Sequence, residues 1–129
     1  MDCSDQYVRM CRQAEEIQEL WSPADGDVFA DELCHVSIVN SPILEHLGKS
    51  IKEGKRKDYV WLPRQDQLQE LVLLMYERNC YWMFEECYKH LQLPHPTKLE
   101  SMEQVWLSFV MKERSGKTWN GENWIKLKK

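Results

Sequence analysis

Apolar residues recur at three- and four-residue steps from Tyr7 to Trp21, taking in Met10, Cys11, Ala14, Ile17 and Leu20. Helical geometry puts them on one face, which predicts an amphipathic helix over 5–21 with Glu15, Glu16 and Glu19 turned to water. Ser22-Pro23 ends it, because proline disfavours helical geometry at the residue before it, and Asp25-Gly26 supplies a turn. The period then shortens. Val28-Phe29 and the run Cys34 to Val39 are rich in β-branched and aromatic residues, as strands prefer. In the second run Cys34, Val36 and Ile38 are expected on one face, with His35, Ser37 and Val39 on the other. Ser41-Pro42 can cap a short helix that aligns Leu44, Leu47 and Ile51, although Gly48 and Gly54 weaken the pattern. Lys49 to Lys57 reads as a basic loop, and Asp58 to Leu62 as a strand entering the next helix.

From Pro63 to Leu93 the helical period returns. Leu68, Leu71, Val72, Met75 and Tyr76 form one stripe, and Cys80, Phe84, Cys87, Tyr88 and Leu91 another. The stripes are offset near Arg78-Asn79, which predicts two helices or one kinked helix. Leu93-Pro94-His95-Pro96 is a rigid connector, since each proline fixes its backbone and removes a donor. Ser101-Met102-Glu103-Gln104 is a capping-box pattern, in which Ser101 and Gln104 can satisfy each other's backbone amides. The helix it opens is expected to bury Met102, Val105, Trp106, Phe109 and Val110 and to end at Gly116. Asn120-Gly121, between Trp119 and Trp124, signals a tight hairpin with a type I′ turn.

These elements add up to an α+β domain over 1–129, with about four helices, a small antiparallel sheet and a C-terminal β-hairpin. Its parts are an N-terminal helix (1–22), a β-rich or irregular stretch (23–62), a helical hairpin or kinked helix (63–93) and a helix plus hairpin (101–129).

Composition narrows the class. A chain of 129 residues, 43% hydrophobic and 29% charged, suits a folded soluble protein. Its longest apolar run, Leu71 to Tyr76, is far short of the roughly 20 residues a membrane helix needs, and Met1-Asp2-Cys3-Ser4-Asp5 does not resemble a signal peptide. Five scattered cysteines suit reduced thiols in a cytoplasm better than a disulfide framework. The net charge of −4 divides into −8 over residues 1–48 and +4 over residues 49–129, a polarity suited to self-association or to an anionic partner.

No catalytic constellation is legible. Gly48-Lys49-Ser50 matches the end of a phosphate-binding loop, but Ile43 stands where that loop needs its first glycine. Cys80 and Cys87 lie two helical turns apart, about 10.5 Å along the axis. That is too far for two thiolates to share a zinc at about 2.3 Å each. Cys87 and His90 could share a metal completed by Cys34 or His35, but buried thiols and solvent-facing histidines account for the same residues. No metal or cofactor is expected, and a small thiol- or metal-dependent enzyme is the least supported class. Two candidate surfaces remain. Trp61 with Arg64 pairs two typical interface anchors, with packing of Trp61 on the first helix and a local role for Arg64 as the alternative. Lys49, Lys52, Lys55, Arg56 and Lys57, with Lys126 and Lys128 and neighbouring aromatics, could bind nucleic acid by phosphate neutralisation and stacking. A pI near 5.6 argues against a dedicated nucleic-acid binder.

Three phrases are distinctive as strings: Trp61-Leu62-Pro63-Arg64-Gln65-Asp66-Gln67-Leu68-Gln69-Glu70, the run Ser101 to Glu113, and Gly116-Lys117-Thr118-Trp119-Asn120-Gly121-Glu122-Asn123-Trp124. Together with the Tyr7 to Trp21 opening, they resemble small uncharacterised proteins encoded by bacteriophages and prophages. The resemblance spans about half the chain and leaves out 29–58. It implies an accessory protein working in the cytoplasm of a bacterial host, and it brings no activity with it. The expectation is a non-enzymatic protein that binds another protein, a second copy of itself included, with nucleic-acid binding as the alternative.

Overall fold

The computed structural model describes residues 1–127. Among them it has six α-helices and five short strands, an α+β fold with small antiparallel sheets. The chain divides into two compact units, one of Cys3–Arg64 and one running from Gln65 onward together with Met1–Asp2.

In the first unit, helix α1 (Asp5–Gln13) is capped by Ser4, whose side chain accepts from the Tyr7 N–H. The expected single helix over 5–21 breaks at Ala14 (φ −86°, ψ 67°) and resumes as α2 (Glu15–Gln18). Alanine is the best helix former, so the break is a tertiary effect. Beyond it the Gln18 amide is held by two hydrogen bonds to the Trp61 backbone. Tyr7, Met10, Cys11, Ala14, Ile17 and Trp21 are buried as expected, whereas Leu20, beyond α2, is exposed.

Strands β1 (Val28–Ala30), β2 (Val36–Ile38) and β3 (Val60–Trp61) pair antiparallel in the order β2-β1-β3. The expected alternation is seen in β2: Cys34, Val36 and Ile38 lie on an exposed face, while Ser37 is half-buried and Val39 buried on the other. A tight turn sets this phase. The Asp31 carboxylate accepts from the N–H groups of Leu33 and His35, and Cys34 takes a left-handed conformation (φ 63°). With a side-chain period of two, a phase shift of one residue exchanges the faces.

The stretch 23–62, expected to be β-rich or irregular, contains a 12-residue helix, α3 (Ser41–Lys52). Asn40 caps it by accepting from the Ile43 N–H. Pro42 sits in the first turn, where its missing N–H costs nothing. Lys49 and Lys52 therefore belong to the last turn of α3 and not to a loop, and a 3-10 turn (Arg56–Asp58) leads into β3.

In the second unit, α4 (Gln65–Leu73) runs into a 3-10 turn (Leu74–Tyr76). Glu77 and Arg78 then turn the chain through left-handed geometry, and α5 (Cys80–Gln92) starts from an Asn79 cap. This is the break expected from the offset stripes. Helix α6 (Met102–Ser115) starts at Ser101, which accepts from the Gln104 N–H, and ends at Gly116 in the left-handed region (φ 64°). The Gln104 side chain accepts from the Glu100 N–H and not from that of Ser101, while its Nε2 and the Ser101 hydroxyl both donate to the Asp2 carboxylate. Every residue of α6 from Gln104 to Met111 is buried. It is the core of the unit, with α4, α5 and the hairpin packed against it.

Strands β4 (Lys117–Trp119) and β5 (Trp124–Lys126) form that hairpin with Trp119 opposite Trp124. Its connection is a four-residue loop over 120–123 and not a two-residue Asn-Gly turn. The Asn120 side chain accepts from the N–H groups of both Glu122 and Asn123. An asparagine that folds its own turn this way favours the longer loop.

Candidate interaction surface

Helix α5 carries three faces. Successive residues advance about 100° around a helix, so Met83, Cys87 and His90 align on one side, and all three are buried. Tyr81, Phe84, Tyr88 and Leu91 align roughly a third of a turn away, at the alternating spacing of three and four that makes a coiled-coil seam. These four are exposed, Tyr81 by 85% and Tyr88 by 61%. Glu85, Glu86 and Lys89 occupy the remaining side, with Lys89 Nζ 3.2 Å from Glu86 and 3.8 Å from Glu85. The stripe expected to bury Cys80, Phe84, Cys87, Tyr88 and Leu91 together is therefore split: Cys87 faces the core, while the other four are exposed. Core space explains the split. Met83 and His90 take the positions beside Cys87 against α6, and Phe84 meets Trp106 only edge-on at its rim (ring centroids 5.6 Å apart).

The buried side of α5 holds a polar pair. His90 Nε2 lies 2.9 Å from Ser108 Oγ, and His95 Nε2 bonds the His90 carbonyl. His90 Nδ1 has no hydrogen-bond partner. Burial first, then the charges of His95 and Lys112, lowers the His90 pKa from 6.5 to about 4, so the ring is neutral at pH 7. Burial also pushes the Cys87 thiol up to about 12, which keeps it protonated and unreactive. Among the described residues no three His, Cys, Asp or Glu side chains converge in a way that could hold a metal ion, and no helix is long and apolar enough to cross a membrane.

The two anchors expected at a contact point are engaged inside their own unit. Trp61 is 6% exposed and lies parallel to Trp21, with centroids 6.3 Å apart and planes 3° apart. Arg64 Nη1 donates to the Gly26 carbonyl and lies 3.7 Å from the buried Asp27, which also accepts from Trp21 Nε1. Packing thus accounts for Trp61, and a local ion pair for Arg64. Of the basic set, Lys49, Lys52, Lys55 and Lys57 are exposed. Arg56 instead donates from Nη1 to the carbonyls of Gln18 and Trp21. Lys126 lies on β5 in the other unit, and Lys128 falls outside the described residues. The outward stripe of α5 was missed because its residue types are those of a core; the signal for it was the presence of two apolar stripes on one helix.

No protein-family model, curated protein or solved structure matches the chain.

Proposed function

We propose that this protein works by binding protein and not by catalysis, and that its α5 stripe docks against the same stripe of a second copy. The exposed seam Tyr81, Phe84, Tyr88 and Leu91 carries this reading. Aromatic side chains bury roughly 150–250 Å² each, so at the observed exposures the seam offers on the order of 450 Å² of apolar surface per copy. Two such faces with their rims approach the roughly 1,200 Å² at which specific interfaces begin. A two-fold pairing needs only one self-complementary patch, and knob-and-hole spacing on a single helix provides one. The resemblance of the tryptophan-rich phrases to small phage and prophage proteins supports reading it as an accessory protein of that kind, acting in the bacterial cytoplasm.

Sedimentation equilibrium over about 1 to 200 µM tests the reading. The protein is expected to be a concentration-dependent dimer. Tyr81→Glu and Tyr88→Glu should each weaken it by at least about tenfold, while Glu86→Gln on the charged face leaves it unchanged. Circular dichroism checks that the variants fold, which the exposure of both tyrosines favours. A monomer at every concentration, or a dimer indifferent to both tyrosine variants, overturns the proposal.

A further inference from the structure

A cleft of about 470 Å³ opens in the Cys3–Arg64 unit, between the α1–α2 segment and residues 54–60. Its two walls carry opposite charge. Glu15 and Glu19 line the helical side, joined by Arg12 at one end, and Arg56, Lys57 and Tyr59 line the other. Among the described residues, neither Glu15 nor Glu19 forms an ion pair with Arg56 or Lys57. Opposite charges on facing walls attract, and free side chains would close the gap. Here Arg56 ties the two sides together at one point, which fixes their spacing. Arg56 is clamped by the carbonyls of Gln18 (3.1 Å) and Trp21 (2.8 Å), and Gln18 is itself clamped to Trp61. Only Nη1 of the guanidinium is used in this clamp, so its other N–H groups remain to meet a ligand. The volume lies in the range of small-molecule sites, and a site fixed in advance avoids the ordering cost of binding.

We propose that this cleft binds a small dipolar molecule, its anionic end held by Arg56 and Lys57 and its hydrogen-bond-donating end by Glu15 and Glu19. A zwitterionic short peptide and a nucleoside monophosphate share this chemistry: a carboxylate or phosphate at one end, ammonium, amino or hydroxyl donors at the other. An anion alone meets only one wall.

Isothermal titration calorimetry of the full chain separates the cases, using glutamyl-lysine, adenosine monophosphate and inorganic phosphate as probes. At least one dipolar probe is expected to bind, about tenfold or more tighter than phosphate, and the one that binds identifies the source. Lys57→Glu and Glu19→Lys should each weaken that binding by a similar factor. Lys57→Gln, which removes charge without reversing it, should have a smaller effect, and both positions are exposed, which favours folding. The α5 variant Tyr88→Glu should bind as the parent does, so this site and the α5 face fail or stand separately. Binding by neither dipolar probe, phosphate binding as tightly as both, or indifference to all three cleft variants overturns the proposal.

Discussion

The side chain of Gln18 pairs with the backbone of Trp61 as if it were a one-residue strand: its Oε1 accepts the Trp61 N–H at 2.7 Å and its Nε2 donates to the Trp61 carbonyl at 2.9 Å. Strand β3 is an edge strand of two residues, and an open edge is a template for unwanted pairing. One amide closes it. The same residue offers its own carbonyl to Arg56, so Gln18 links the end of α2, the edge of the sheet and the floor of the charged cleft. Because the amide supplies both a donor and an acceptor, no isostere of one kind can replace it.

Gln18→Leu should therefore destabilise the protein by about 1–3 kcal/mol, since it strands both Trp61 groups without a partner. Gln18→Glu should cost less at low pH, where a protonated carboxyl both donates and accepts, than at neutral pH, where two acceptors face the Trp61 carbonyl. Urea unfolding followed by far-ultraviolet circular dichroism measures both. Equal losses for Leu and Glu at every pH would show that the paired bonds contribute little.

Acid should unfold the protein partly through His90. Its pKa falls from 6.5 in the unfolded chain to about 4 in the folded protein. Between those values the unfolded state binds the extra proton, so stability rises with pH across that window. The contribution is complete above pH 6.5, is lost as pH falls toward 4, and amounts to about 3 kcal/mol at roughly 1.4 kcal/mol per pKa unit. Carboxylates add their own acid dependence, so the useful quantity is a difference. His90→Gln keeps an amide within reach of Ser108 and removes the titration. Its unfolding free energy should approach or exceed that of the parent at pH 4.5 while lying below it at pH 7. Parallel pH profiles for the two proteins would remove His90 from this role.

Features whose cause lies within a few residues were legible in the sequence. Ser101 and Gly116 bound α6 because capping is a local matter, and the offset of the stripes at Arg78-Asn79 marks where the helical phase is lost. Features decided by packing were not. Ala14 reads as a helix former, yet the helix breaks there. The alternation along β2 is legible, but which of its faces turns inward is not, and the structure sends Val36 and Ile38 outward after the Asp31 turn. Phe84, Tyr88 and Leu91 read as core because composition cannot say which of two apolar stripes a neighbour will cover. Trp61 reads as an interface anchor, yet it is buried against Trp21. Gln18, the residue that organises the cleft, carried no signal at all, since a glutamine on the flank of an amphipathic helix looks like any solvated residue.

The loop over 120–123 offers a test in which backbone and side-chain costs can be separated. Gly121 has φ +103°, a conformation that L side chains rarely adopt, and a Cβ placed there would lie 3.0 Å from Thr97 Oγ1. Gly116 also has positive φ (+64°), but a Cβ there meets nothing within 4 Å. Gly116→Ala should thus cost only the left-handed penalty of about 1–2 kcal/mol. Gly121→Ala should cost more, because its backbone lies further from the left-handed minimum and the threonine must also move. Thr97→Ala removes the obstructing oxygen. In a double-mutant cycle measured by thermal unfolding, Thr97→Ala should recover part of the Gly121→Ala loss, with a coupling of about 0.5–1 kcal/mol. Additive effects would mean that the backbone alone requires glycine at this position, and a Gly121→Ala loss no larger than that of Gly116→Ala would mean that neither cost operates there.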